Sequence, residues 1–415
     1  MLFLAGFVSY VLRYNISAAG PALMMDLEFT EQQLGYVFAA FTAGYAIFQL
    51  PGGLFSDRLG PRRALAICTV LWGALTLLTA IVPDDAVVGT TAALVLLIVI
   101  RFLVGVVHAP MFPILGSAVE RWFPPGSWAL PNGLSSTGLT LGTAAAAPLI
   151  AWLVVTFGWR TAFVVLAPLP LIIAAVWWKY ARDYPAEHPA VNRAEVDLIA
   201  RGREALEVVG TDDARPSWQR VLANRDVLLL TISYFCMNYV FYMFFNWVFY
   251  YLVTVRGFAE QQAGFLTAAQ WVAAAVGAAL GGYICDLLCR RYGIRRGCAW
   301  PGIVGVGISG VLLFAGSVID SGYLAVACLA FSFLFNQLTE GAYWAAAIGI
   351  GGRHTAAACG VMNTGGNVVG FVNALLVPLI AGTLGWTAAM TTGAVFAFVG
   401  ASLWLFIRAD RRMAD

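Results

Sequence analysis

Four ionisable side chains sit deep inside apolar runs of this chain: Arg13, Arg101, His108 and Glu340. A charged group at the centre of a bilayer costs at least ~2.5 kcal/mol, so each of the four is a candidate site residue. Three can be positive and one negative, and a cavity lined by the set holds a positive potential that favours anions over cations. Arg13 carries the most direct chemistry. Its planar guanidinium can grip a carboxylate through two parallel charge-assisted hydrogen bonds, the alternative being a structural ion pair with an acid from another helix. Tyr10, one turn back on the same helix face, offers a hydroxyl to the same ligand or packs as an ordinary aromatic.

Arg101 and His108 are seven residues apart, which leaves them about 20° out of phase on one helix face and roughly 10 Å from each other. They are candidates for one cavity wall and for proton coupling. Arg101 either meets substrate and proton site or holds helices together through backbone carbonyls. His108 is either a hydrogen-bonded core histidine or a group that titrates near physiological pH. Glu340 has Asn336 and Trp344 one turn away on either side, and it either exchanges a proton or neutralises an arginine. Tyr239, Tyr242, Asn246 and Gln270 supply further polar groups on the seventh and eighth runs.

The elements that must position these residues follow from the apolar pattern. Hydrophobic residues make up 60% of the 415 and charged residues 11%, against roughly 25% charged in a soluble domain. The apolar residues fall in runs of about twenty, the length that crosses a bilayer core. Six runs lie near 1–23, 33–55, 62–82, 90–118, 131–157 and 160–181, and six more near 226–255, 262–288, 297–318, 322–348, 355–383 and 387–408. The expected fold is an all-α membrane protein of twelve transmembrane helices in two six-helix bundles, 1–181 and 226–415. A polar linker over 182–225 joins them, with a predicted surface helix over 195–207. The net charge of +2 is spread along the loops and forms no basic face for nucleic acid. Seven cysteines lack CxxC or Cys/His spacing, so neither disulfides nor a metal or other cofactor is expected, although Cys285 and Cys289 can share a helix face.

Arg58, Arg62, Arg63, Arg121, the linker, Arg290, Arg291, Arg295, Arg296, Arg353 and the 408–412 tail fall on one side, while the opposite loops hold only Arg160 and Arg256 among basic residues. The positive-inside rule then places both termini and the linker in the cytoplasm. The scarcity of lysine, and an Asn15-Ile16-Ser17 sequon lying within a helix, point to a bacterial inner membrane. The run that begins at Met1 carries Arg13 in its middle and reads as a retained first helix.

The two halves share a pattern. Gly53-Leu-Phe-Ser-Asp57-Arg58-Leu-Gly60-Pro-Arg62-Arg63 is echoed by Gly282-Tyr-Ile-Cys-Asp286 and Arg290-Arg291-Tyr-Gly293-Ile-Arg295-Arg296. Such duplication builds secondary transporters, with cargo held at mid-membrane between the repeats. Asp57, Arg58, Arg62 and Arg63, and in the other half Asp286 with Arg290, are candidate gating residues that form a charge network or cap a helix end. Gly138-x-x-x-Gly142 followed by Pro148 lets backbones approach closely and bends the fifth helix.

The repeated pattern, with Arg101-x-x-x-Gly105, resembles the major facilitator superfamily. Arg13-Tyr14-Asn15-Ile16, Ala19-Gly20-Pro21, Gly35-Tyr36, Gln49-Leu50-Pro51-Gly52-Gly53, Ala109-Pro110-Met111-Phe112-Pro113, Arg121-Trp122-Phe123-Pro124 and Met362-Asn363-Thr364-Gly365-Gly366-Asn367 narrow the resemblance to its anion:cation symporter family. That family includes bacterial aldonate, hexuronate and glucarate carriers and animal sialic-acid, phosphate and glutamate carriers. The resemblance implies symport of a small carboxylate with protons by alternating access, in a monomer that is not an enzyme. It marks Arg13, Tyr45, Trp344 and Asn363 as substrate contacts, and it gives Arg101 and the position of His108 a part in proton coupling. Bacterial members often place Asp just before the first-helix arginine and Glu just before Ala-Pro in the fourth helix, where this chain has Leu12 and His108. An organophosphate/phosphate antiporter is the first alternative, yet no second cation lies between Val227 and Val255 as such a carrier needs. A receptor or membrane enzyme is a remoter one, since no nucleophile–base pair is visible.

Overall fold

The computed structural model describes residues 1–83, 89–123, 129–199, 218–351 and 355–411, without the side chains of residues 50, 53, 54, 57, 120, 129–136, 218–220 and 355–356. The Asp57 carboxylate, Arg353, Arg412 and the 200–207 part of the expected surface helix lie outside that description, while residues 193–199 are helical. Among the described residues there are helices and no strands. The first half comprises α1 (Leu2–Ala18), α2 (Gly20–Leu27), α3 (Glu31–Ile47), α4 (Gln49–Ala80), α5 (Thr90–His108), α6 (Met111–Trp122), α7 (Ala129–Phe157), α8 (Trp159–Leu166) and α9 (Pro168–Tyr180). A short α10 (Trp218–Ala223) leads into the second half. That half holds α11 (Arg225–Asn246), α12 (Val248–Tyr250) with a π turn over Tyr251–Val255, α13 (Glu260–Val318), α14 (Gly322–Leu338), α15 (Glu340–Gly351), α16 (Thr355–Leu384) and α17 (Trp386–Leu403).

Nine described helical segments are long and apolar enough to cross a membrane, or ten with α1 and α2, which meet at 46°, taken as one bent crossing. The 59 residues of α13 span about 88 Å at 1.5 Å per residue, too long for one passage of a ~30 Å hydrocarbon core. That helix breaks at Gly293, with φ 80° and ψ 161°. Gly60 breaks α4 in the same way, with φ 76° and ψ 155°. Only glycine enters this region without strain, so the repeated Gly of the sequence pattern is the point where each half turns from one crossing into the next. Asp57 and Gly60 are three residues apart and Asp286 and Gly293 seven, so the second copy is about one helical turn longer before its break. Counting Glu31–Leu59 as a crossing and α13 as two brings the total to the twelve runs read from the sequence.

A second repeat, Gly158-Trp159 and Gly385-Trp386, opens the last crossing of each half, again on glycines of positive φ. Thr30 caps α3 and shares a reciprocal capping box with Gln33, so this helix starts sharply and places Glu31 in its first turn. Outward-facing Leu78, Val99, Phe314 and Val395 are all more than two-fifths exposed, as suits a surface in contact with lipid tails.

The bundles approach each other closely away from the linker. A Cβ on Gly264 would stand 2.9 Å from Pro148 Cα, and one on Gly35 would run into the Ala374 carbonyl oxygen, so these glycines let crossings of opposite halves touch by backbone. Gly138 and Gly142 do the same within the first half, against the Phe3 and Phe7 carbonyls of α1.

Candidate functional site

Arg13 lies at mid-length of the bent first crossing and is 4% exposed. Its Nη1 donates to Tyr10 Oη at 3.1 Å and its Nη2 to Tyr242 Oη at 3.2 Å, the latter across the boundary between halves. The rings of Tyr10, Phe41, Tyr45 and Phe245 surround the guanidinium, with centroids 5.0–5.2 Å from Cζ. Such cation–π contacts are worth ~0.5–2 kcal/mol each and hold a cation in place without cancelling its charge. No carboxylate pairs with Arg13 among the described residues, and its Nε is buried without a partner. Tyr242 Oη in turn donates to Asn367 Oδ1 at 3.2 Å, and Asn367 Nδ2 donates to the Asn363 carbonyl at 2.9 Å. A polar chain therefore runs from the first crossing through the seventh to the eleventh.

Arg101 is 3% exposed and lies against this cluster, its Cζ 5.2 Å from the same Phe41 ring. It makes no hydrogen bond or ion pair with a described side chain, and its Nε is buried and unpartnered. His108 touches Phe41 too, edge-on at 5.8 Å, and stacks on Trp72 at 4.3 Å. Its Nδ1 faces the Val104 carbonyl at 3.1 Å and its Nε2 the Ser9 carbonyl at 3.4 Å. The face shared by Arg101 and His108 is the one drawn from the sequence. The imidazole, however, is sandwiched between aromatic rings with both nitrogens on backbone oxygens.

Glu340 opens α15 on the second half and is half-buried. Its Oε1 accepts from Tyr234 Oη at 2.9 Å and from Trp344 Nε1 at 2.8 Å. Both donors are neutral, and no arginine among the described residues bonds it. Asn336, one turn earlier, turns away to donate to the Met237 carbonyl at 3.2 Å. Trp344 thus reaches Glu340, while Asn363 joins the Tyr242–Asn367 chain through its carbonyl. Asn246 Nδ2 and both amide atoms of Gln270 are buried without partners. Tyr239 bonds Thr392 at 2.9 Å and belongs to packing within the second half.

The candidate gating residues divide. Arg62 donates to the Trp178 carbonyl at 2.7 and 3.2 Å with its guanidinium 4.6 Å over the Trp178 ring, and its backbone N–H donates to Asp183 Oδ1 at 2.9 Å. Asp183 therefore caps the helix that starts after Gly60, where a Cβ on residue 60 would lie 2.6 Å from the same oxygen. Arg58, Arg63, Asp286 and Arg290 are exposed and form no ion pair among the described residues. At the opposite end Glu31 Oε1 accepts from Tyr250 Oη at 2.8 Å and from Trp386 Nε1 at 3.0 Å, both on the second half. Every hydrogen bond between the bundles among the described residues lies at mid-depth or at this end. An ion pair there, Arg160 with Asp26, stays within the first half, where Trp159 Nε1 also reaches Asp26 at 2.9 Å.

Sequence reasoning missed Phe41, Phe245, Tyr234, Trp72, Asp183 and the bridging part of Glu31. Phe41 and Phe245 carry no signal beyond apolarity. Asn367 stands in the Met362–Asn367 motif, and the Thr30-x-x-Gln33 capping pattern is the sequence signal that places Glu31 in the first turn of a helix.

Residues 2–373 match the Major Facilitator Superfamily. A probable sulfoacetate transporter of Cupriavidus necator is 31% identical over 88% of this chain and 83% of its own length. A probable galactarate/D-glucarate transporter of Bacillus subtilis is 30% identical over 97% and 88%. Among solved structures, a bacterial homologue of the human lysosomal transporter Spinster in an inward-facing, unoccupied conformation superposes with a TM-score of 0.79 at 17% identity, covering 98% of this chain and 95% of that one. A D-xylose-proton symporter does so with 0.76 at 13% identity, covering 99% and 97%.

Proposed function

This chain belongs to the Major Facilitator Superfamily and is a multi-pass membrane transporter, and from that premise we propose that it imports a small organic anion, a sugar acid or another carboxylate, together with protons. Two six-helix bundles of a monomer alternate around the Arg13 site, in a bacterial inner membrane with both termini cytoplasmic. The observation that carries this reading is the pair of guanidiniums, Arg13 and Arg101, on one Phe41 ring with no carboxylate paired to them among the described residues. An uncompensated buried charge is strongly destabilising, and an entering carboxylate is the group that relieves it. Its two oxygens suit the Arg13 fork, while Tyr10, Tyr45 and Tyr242 line the surroundings with hydroxyls for a polyol chain.

Glu340 is the proton carrier in this scheme. It is held by a phenol and an indole, both of which can remain bonded to a protonated carboxyl, and no cation among the described residues pairs with it. His108 positions the first crossing against the fourth. The closed end at Glu31 supports access to the Arg13 site from the linker side, which the positive-inside rule makes the cytoplasm.

The test is uptake by the purified protein in liposomes, with a panel of glucarate, galactarate, hexuronates, galactonate and sulfoacetate. Accumulation of at least one of them under an inward proton gradient is expected, collapsing with a protonophore. Uptake driven by a sodium gradient alone would overturn proton coupling, and a panel that neither enters nor stabilises the protein would overturn the choice of cargo.

A further inference from the structure

Outside the transport path, three cysteines meet at the linker end of the second half. Cys285 and Cys289 lie one turn apart on α13, and Cys298 follows the break at Gly293, so the fold brings the end of one crossing and the start of the next to a common point. The sulfurs are 3.9 Å apart for Cys285 and Cys289, 4.0 Å for Cys285 and Cys298 and 3.8 Å for Cys289 and Cys298. The triangle is nearly equilateral, and an edge of 3.9 Å divided by √3 puts its centre about 2.3 Å from every sulfur, the metal–thiolate bond length of a d10 cation such as zinc. We infer that Cys285, Cys289 and Cys298 form a three-thiolate binding site for a soft d10 cation, Cu+ or Zn2+.

The surroundings are built for the approach. Gly297 has no side chain, and a Cβ there would lie 2.5 Å from Cys289 Cα, N and Sγ, so only glycine lets Cys298 come this close. The helical turn that the second copy of the repeat adds before its glycine is the turn that contributes Cys289. Cys285 and Cys298 are buried, while Cys289 is half-buried and leaves a route for an ion from the linker side. Exposed Asp286, Arg290, Arg291, Arg295 and Arg296 stand along the same stretch. The arginines offset the negative charge of a tris-thiolate complex. No fourth His, Cys or carboxylate ligand joins the three among the described residues, which suits three-coordinate Cu+, whereas Zn2+ would complete four-coordination with water. Binding releases the protons of the thiols to solvent and changes no oxidation state. A cation so held ties the two crossings together across the Gly293 break, independently of what the transporter carries.

The test uses the full-length protein, reduced and anaerobic in detergent, titrated with Cu+ against bicinchoninate and separately with Zn2+ against a zinc-binding dye. One equivalent of one of these ions is expected to be retained, with three sulfurs at about 2.3 Å by X-ray absorption. Cys298→Ser and Cys285→Ser should each weaken retention by at least about 100-fold, whereas Cys328→Ser, which removes a thiol elsewhere, should not. Retention of either ion supports the site and identifies the cation. Equal retention by wild type and Cys298→Ser, or none by wild type, overturns it. A readout independent of variants is alkylation of Cys289 in the wild type: the bound ion should slow it at least about tenfold, and alkylation unaffected by stoichiometric metal overturns the inference.

Discussion

Replacing Arg13 by lysine keeps a positive charge in the first crossing but removes the fork. In the wild type the two terminal nitrogens hold Tyr10 and Tyr242 at 3.1 and 3.2 Å, longer than the ~2.9 Å of a well-formed N–H···O bond, so the phenols are partners that a ligand can displace. A carboxylate that displaces them makes two charge-assisted bonds of ~2.7–2.9 Å. An ammonium group keeps the aromatic surroundings and one of those bonds. The loss is then one charge-assisted hydrogen bond, ~1.5–3 kcal/mol, or roughly a 10- to 150-fold rise in Kd. The measurement is calorimetric titration of the purified variant with the tightest-binding acid of the panel, beside a melting curve without ligand. The melting temperature should change little, because both phenols can accept from the ammonium. A Kd within about threefold of wild type, a difference below ~0.7 kcal/mol, at an unchanged melting temperature refutes the two-pronged grip.

Glu340→Gln retains an acceptor for Tyr234 and Trp344 and is expected to exchange internal for external substrate while losing accumulation driven by a proton gradient; His108→Gln should melt earlier yet still accumulate substrate. The reverse assignment in the same liposome assay would return the proton to the imidazole. Glu31→Gln turns two charge-assisted bonds into neutral ones at a cost of ~1 kcal/mol each, shifting the balance towards opening at that end by about 30-fold. Spin-label distances between α3 and α17 would reveal this, and an unchanged distribution would count against Glu31 as a closure. Gly60→Ala meets both a glycine-only conformation, ~1–3 kcal/mol, and the Asp183 carboxylate, whereas a Cβ on Gly293 finds nothing within 4 Å. Thermal unfolding should therefore show the larger loss at residue 60, and equal losses would remove the cap from the explanation.

What could be read from the chain in advance was whatever repeats or stands out chemically at short range. Runs of about twenty apolar residues located the crossings, and a guanidinium amid them marked Arg13. The duplicated Gly-x-x-x-Asp pattern led to Gly60 and Gly293, whose near-identical dihedrals now explain it. The partners were hidden because they are far apart in sequence. Arg62 and Asp183 are separated by 121 positions, Tyr234 and Glu340 by 106, and Glu31 and Trp386 by 355. Phe41 and Phe245 differ in no visible way from the other aromatics until packing puts both against the Arg13 guanidinium. The cysteine spacing gave no hint of Cys298, since a break of the helix at one glycine, and not any periodicity, folds it back onto Cys285 and Cys289.

Tyr242 has one hydroxyl hydrogen and commits it to Asn367, so its bond with the first half depends on Arg13 Nη2 as the donor. Nη2 carries two hydrogens, so an oxygen of the cargo either shares that nitrogen with Tyr242 or displaces it. Either way the atom that takes up the cargo is the atom that ties the halves together at mid-depth. Loading therefore reaches the second bundle through one nitrogen, with no intervening residue to relay it.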